Sequence, residues 1–259
     1  MAFEPFLTID DEPITITQAV RYLQAGRKFD GFIGEILRQF VLERQLKERA
    51  EDLKINAATI EQTIIDFRLE RQLSDSQAFQ DWLTSNGLNY EAFHAQVSQS
   101  FRMRKLRELV TEPKLQEYFI ERKIFLDRVV LSRIIVDDKD VADELKTQIL
   151  EETATFEHLA REYSLTDDKI VNGMVGPVSR GTMPDLLRAA IDTAKVGDIV
   201  GPIGLEERWG LFRIEEFLYA TLSDPQLQAS LQDELFEQWL VEKMQVLPIK
   251  LQLDDASET

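Results

Sequence analysis

The spacing of hydrophobic positions changes twice along the chain. From Thr17 to Phe119 apolar residues recur three and four apart, the period of amphipathic helices. Thr17 is placed to cap a first helix that carries Val20 and Leu23 and ends at Gly26. A longer helix is expected from about Phe29 to Glu51, with Phe32, Ile33, Ile36, Leu37, Phe40 and Val41 at helical spacing. Asn56 suits the cap of the next, which carries Ile60, Ile64 and Phe67, and a short helix with Phe79, Trp82 and Leu83 stops at Asn86-Gly87. Tyr90 to Val110 reads as helix with Phe93, Val97, Phe101 and Leu106 inward, and Pro113 opens another with Leu115, Tyr118 and Phe119. Ahead of all these, Phe3 to Ile16 alternates loosely and reads as a short extended lead-in.

At Arg128 the pattern changes. Val129-Val130-Leu131 and Ile134-Ile135-Val136 bracket Ser132-Arg133, a β-branched run suited to a buried strand. Asp140 can cap a helix with Val141, Leu145 and Ile149, and Phe156, Leu159, Ala160 and Tyr163 mark a second helical face. From Glu162 to Met183 come a helix end, a polar loop, a short strand and a turn, punctuated by Gly173, Gly176 and Gly181. Leu186, Leu187, Ala190 and Ile191 form a short helix, and Ile199–Leu205 and Gly210–Phe217 read as two closing strands. This makes a small α+β unit. The helical period then returns: Asp224 and Pro225 start a helix whose Leu227, Leu231, Leu235, Trp239 and Met244 lie near one face, with Phe236 and Leu240 beside them. That face is too apolar to stay in water and needs a partner, the N-terminal helices being the nearest. The tail from Asp254 to Thr259 is polar and expected to fray.

The central stretch resembles the parvulin-type peptidyl-prolyl cis-trans isomerases. The resemblance is carried by Glu162-Tyr163-Ser164, Asn172-Gly173, Val175-Gly176 and Ser179-Arg180-Gly181-Thr182-Met183. It continues through Ala189-Ala190, Lys195-Val196-Gly197-Asp198, Val200-Gly201-Pro202-Ile203 and Gly210, from about Val129 to Phe217. It implies a four-stranded, mainly antiparallel sheet with helices around it. The whole plan is similar to that of the SurA and PrsA foldases, and Ile9-Asp10-Asp11-Glu12-Pro13-Ile14-Thr15 looks like the start of their N-terminal domain. This similarity implies a helical chaperone-like domain over residues 1–126 and a parvulin-like domain over 127–218. Residues 219–259 would then hold a C-terminal helix packed on the N-terminal domain, plus a polar tail.

Prolyl isomerisation needs no nucleophile, metal or cofactor, because its barrier of ~18–20 kcal/mol is lost amide resonance. It needs an apolar slot for the proline ring and polar groups that prefer the twisted amide. The resemblance maps the slot onto Val175, Met183 and Leu187; Val178, nearby, reads as core. It also maps the two histidines usual in the family onto Arg133, in the first strand, and Phe212, in the last, and the facing loop position onto Thr166, with Asp167 beside it. The chain's only histidines, His94 and His158, stand in helical stretches elsewhere. A polar network would therefore have to be rebuilt from Arg133, Thr166 and Asp167, with Phe212 joining the slot. Two functions stay open: a weak isomerase and foldase acting on unfolded or extended proline-containing polypeptides, or a holdase or adaptor whose parvulin-like unit binds without isomerising.

Composition narrows the alternatives. Formal charge is −17, from 30 basic and 47 acidic residues, and such a chain repels phosphate backbones, which argues against nucleic-acid partners. The basic cluster Arg102, Arg104, Lys105 and Arg107 falls late in a helix, where the dipole favours cations. The loop Asp137-Asp138-Lys139-Asp140 would repel a phosphorylated substrate. It also lacks the glycine and glutamate of a calcium loop. Gly176 to Gly181 is not a nucleophile elbow, and the sequence has neither a P-loop nor a dinucleotide fingerprint. With no cysteine, thiol chemistry, disulfides and thiolate metal sites are excluded. No apolar run approaches the ~20 residues of a membrane span, and no secretory signal is visible, so a cytoplasmic location is expected.

Overall fold

The computed structural model describes residues 5–251. Phe3, at the start of the lead-in, and the tail from Asp254 to Thr259 lie outside the described residues. In order, the elements are β1 (Leu7–Ile9), β2 (Glu12–Ile14), α1 (Ile16–Ala25), α2 (Phe29–Glu48), α3 (Ala57–Glu70), α4 (Ser76–Ser85) and α5 (Tyr90–Leu126). There follow β3 (Arg128–Val136), α6 (Lys139–Leu150), α7 (Phe156–Tyr163), β4 (Met174–Ser179), α8 (Asp185–Asp192), β5 (Ile199–Leu205), β6 (Arg208–Leu218) and α9 (Pro225–Gln245). Two compact units result: one runs to Lys114 and resumes at Gln232, and the other is Leu115–Leu231. Both boundaries fall inside long helices, α5 and α9.

In the first unit the lead-in is a hairpin. Asp10 and Asp11, at φ 51° and 64°, form the two-residue turn that reverses β1 into β2. The cap of α1 is Thr15, not Thr17: its side chain accepts from Gln18 N while the Gln18 side chain accepts from Thr15 N, a reciprocal capping box. The C-terminal helix completes a core here, with Phe236 and Leu240 of α9 buried among Val41, Leu42 and Leu46 of α2, Leu53, and Leu106 of α5. A second core joins Ile60 and Ile64 of α3, Phe79 and Leu83 of α4, and Phe93 of α5.

Pro113 does not begin a helix but lies inside α5. Proline removes one N–H and crowds the preceding turn, which costs an isolated helix about 3 kcal/mol. Burial on either side of it, at Leu106 and at Leu115 and Phe119, outweighs that local preference.

The second unit is a four-stranded antiparallel sheet in the order β4-β3-β6-β5. Side chains alternate across it. On one face Ile134 and Val136 of β3 and Leu211 of β6 pack under α6 and α7, through Ala142, Leu145, Phe156, Leu159 and Ala160. On the other, Val129, Leu131 and Ile135 of β3 and Phe212 and Ile214 of β6 meet Met183 and α8. The cap of α6 is Asp138, whose side chain accepts from Asp140 N, rather than Asp140 itself. Asp224 caps α9. Among the described residues no helix is long and apolar enough to cross a membrane.

Candidate functional site

The face of the sheet that carries α8 gathers most of the residues expected at a prolyl site. Arg133 and Phe212 are direct cross-strand partners, so their side chains project to the same face. Phe212 is buried in one cluster with Met183 and Leu187, which come from the turn after β4 and from the inner side of α8. The Phe212 ring leans along its strand: a Cβ on Gly210 would lie 2.7 Å from it. Val178 packs against the same cluster. Val175 does not join it; the residue is 40 % exposed on the edge strand β4.

The polar half forms around Asp168, which the hydrophobic spacing and the family motifs do not single out. Arg133 Nε donates to Asp168 Oδ2 at 2.7 Å. Thr166 Oγ1 donates to the other carboxylate oxygen, Asp168 Oδ1, at 2.6 Å. Ser164 Oγ lies 3.0 Å from Thr166 Oγ1, and it accepts from the Ile135 backbone N–H at 3.2 Å. Asp167 is exposed at the start of a short 3-10 turn, Asp167–Val171, and enters none of these bonds. The turn presents the second aspartate to the sheet, so neighbouring carboxylates receive different environments. The signal available in the sequence was only a pair of aspartates; which one turns inward depends on a turn that hydrophobic spacing does not encode.

Glycine and arginine of the same stretch hold this arrangement. Gly173, at φ +78°, sits so close to β3 that a Cβ would lie 2.3 Å from the Arg133 carbonyl oxygen. Its own carbonyl accepts from Arg133 N at 2.8 Å. Arg180 donates to Asp127 at 3.4 Å and also pairs with Asp192 of α8. Asp127, its side chain 4 % exposed, further accepts from Lys123 Nζ at 2.8 Å and Ala220 N at 2.9 Å. Ser179 Oγ donates to the Phe125 carbonyl at 2.7 Å. The Ser-Arg-Gly motif is thus a clasp joining β4, α8 and the end of α5, which fixes where Met183 enters the core.

Neither histidine belongs to this face: α7, which carries His158, packs on the opposite face of the sheet, and His94 belongs to the first unit. His158, on α7, is 67 % exposed and pairs with Glu162 at 3.1 Å, while His94, in the first unit, lies 3.4 Å from Glu61. An open groove of about 880 Å³ is found elsewhere in the second unit, lined by Lys146, Phe156, Ala194, Ile199 and Arg213 among others, and includes none of the expected site residues. Size alone does not make it the site, since a lone proline ring needs only a shallow apolar seat. Among the described residues no group of three or more His, Asp or Glu is placed to hold a metal ion.

Residues 135–216 match the family model of the rotamase, PPIC-type PPIase domain. The chain carries a parvulin-type domain. Curated relatives are foldase proteins PrsA 1 of Listeria innocua serovar 6a, 30 % identical over 140 residues, and of Listeria monocytogenes serovar 1/2a, 30 % identical over 127. These alignments cover 52 % and 48 % of this chain but 46 % and 41 % of those proteins, so the chain matches less than half their length. The crystal structure of the peptidylprolyl isomerase PrsA from Bacillus cereus aligns over 98 % of this chain and 96 % of that one, at 17 % identity and TM-score 0.45. Within the parvulin-type domain the matched segment holds six of the seven expected site residues; Arg133 stands just ahead of it.

Proposed function

We propose that the chain is a peptidyl-prolyl cis-trans isomerase of the parvulin type that acts as a foldase on extended, proline-containing polypeptides. The observation that carries this reading is the direct cross-strand pairing of Arg133 with Phe212, on the face that also holds Met183 and Leu187. It sets one cationic donor beside an apolar wall, the two parts a prolyl site needs. Amide resonance places negative charge on the carbonyl oxygen; twisting returns the electron pair to the prolyl nitrogen. A donor aimed at that nitrogen favours the twisted form, and only such a difference between states accelerates the reaction. Arg133 is that donor, and Arg133 and Phe212 stand where the family's two histidines would be. The catalysis expected is weak, because one fixed cation replaces a network of tunable rings. Substrate contact falls to the edges of Met183, Leu187 and Phe212, with Val175 at the rim and Thr166 and Asp167 in the facing loop.

One observation favours a second reading, binding without isomerisation: Phe212, Met183 and Leu187 are only 4 %, 6 % and 5 % exposed, so little of the apolar wall is open. A protease-coupled assay on a proline-containing peptide separates the two. Acceleration of cis-to-trans conversion by the intact protein supports the isomerase. An unaccelerated rate, together with suppressed aggregation of a denatured enzyme, would establish the holdase instead.

A further inference from the structure

The hydrogen bonds around Asp168 have a forced direction. A backbone N–H can only donate, so Ser164 Oγ accepts from Ile135 N. Thr166 Oγ1 spends its one proton on Asp168 Oδ1, so Ser164 must donate to Thr166. The chain therefore runs one way, from Ile135 N–H through Ser164 and Thr166 to the Asp168 carboxylate. Arg133 Nε–H reaches the same carboxylate from the other side. Both ends of this loop lie on one strand, since Ile135 and Arg133 are next-but-one neighbours on β3 and project to the same face. Asp168 is the common acceptor and is 14 % exposed at its side chain. Donors aligned in series polarise one another, and a carboxylate acceptor makes each terminal bond charge-assisted.

We infer that Asp168 is a positioning residue for prolyl isomerisation, acting only through Arg133. This rests on the isomerase reading above. With Nε committed to Asp168, the guanidinium plane is fixed, and the two Nη groups are the donors left to meet a substrate. The carboxylate also offsets the cation's charge. A bare guanidinium would bind the carbonyl oxygen of the planar amide, where resonance holds negative charge, and so stabilise the ground state. Paired with Asp168, it is held in orientation and loses part of that preference. Preorganisation of this kind acts on turnover rather than on docking.

The test is a double-mutant cycle on the full chain, with Arg133→Ala, Asp168→Ala and the two combined, followed by NMR exchange on a proline-containing peptide. Asp168→Asn, close in shape, serves as a second variant should the alanine lose the fold. Each single change is expected to lower kcat about tenfold or more with KM within about twofold. The combined variant should be no slower than Arg133→Ala alone. Multiplicative losses, or a kcat that survives both Asp168 variants, would overturn the inference. A second readout stands apart from activity: the Arg133 Nε–H resonance should be protected from exchange in the native protein and in Asp143→Asn, a control at an exposed aspartate of α6 that pairs with Lys139. Protection should be reduced in Asp168→Asn, whose amide oxygen is a weaker, uncharged acceptor, and lost in Asp168→Ala. Protection that survives both Asp168 changes refutes the positioning role even if the chain proves to have no isomerase activity. Wild-type inactivity with protection lowered on both changes would instead refute the isomerase reading and, with it, any role of Asp168 in turnover.

Discussion

Two glycines three residues apart make a sharp internal comparison. Gly173 and Gly176 both adopt positive φ, +78° and +86°. A Cβ on Gly176 would meet nothing within 4 Å, whereas one on Gly173 would lie 2.3 Å from the Arg133 carbonyl oxygen and 3.2 Å from Ala160 Cβ. Gly176→Ala therefore carries only the penalty of a left-handed alanine, about 1 kcal/mol. Gly173→Ala carries the same penalty and must also move backbone away from backbone by roughly 1 Å to reach ordinary contact distance. That movement breaks the Arg133 N to Gly173 O bond of 2.8 Å, worth about 1 kcal/mol, and strains the central strand β3. The expected totals are about 3 kcal/mol for Gly173→Ala and about 1 kcal/mol for Gly176→Ala. Native-state hydrogen exchange at the β3 and β6 amides reads the loss within this unit alone, so the first unit does not blur it. Equal loss in the two variants would refute the collision argument, and with it the claim that Gly173 sets the seat of Arg133.

Met183→Ala should destabilise the second unit by about 2–5 kcal/mol, by cavity formation in a core where Met183 is buried. It should weaken peptide binding and turnover together, while His158→Ala leaves both unchanged; denaturant melts and peptide titration check this. A fragment of residues 115–231 should fold alone, whereas 127–218 lacks Lys123 and Ala220, both partners of Asp127, and should melt at a lower temperature by calorimetry. Glu157 is held below the ordinary glutamate range, first by its own backbone N–H at the start of α7 and then by Arg213 at 2.7 Å. A depressed carboxyl contributes stability that is present above the unfolded value and lost as pH falls through the folded one. Glu157→Gln should remove a small acid-side slope, well under about 1 kcal/mol because the group is 40 % exposed, measurable as a flatter melting profile between neutral and acidic pH.

The helical period located α2, α3, α4, α7, α8 and α9 because each buries one stripe, and Asn56 and Asp224 announce their helices by side chains that accept from the next turn. Periodicity finds a stripe without naming its partner. Phe32, Ile36 and Phe40 share the spacing of α2 yet are 40 %, 48 % and 52 % exposed, while Val41, Leu42 and Leu46 of the same helix are buried. Pro113 misled for a related reason: its local cost is visible in the sequence, the burial that offsets it is not. The β1–β2 hairpin was hidden because its turn uses Asp10-Asp11, weaker signals of positive φ than asparagine with glycine. At the site, family spacing brought Arg133 opposite Phe212 and placed Met183 and Leu187 beside it. The choice between Asp167 and Asp168 was decided by a single 3-10 turn.

The central claim is that the face bearing Arg133, Phe212, Met183 and Leu187 isomerises prolyl bonds. NMR exchange spectroscopy on a proline-containing peptide tests it most directly, with the native protein, Arg133→Ala, Met183→Ala and His158→Ala in parallel. The account predicts cis–trans exchange faster than the uncatalysed peptide with the native protein and with His158→Ala. It predicts slower exchange with Arg133→Ala, and slower exchange with weaker binding with Met183→Ala. Uncatalysed exchange with the native protein, or loss of exchange with His158→Ala while Arg133→Ala and Met183→Ala remain fully active, would contradict it.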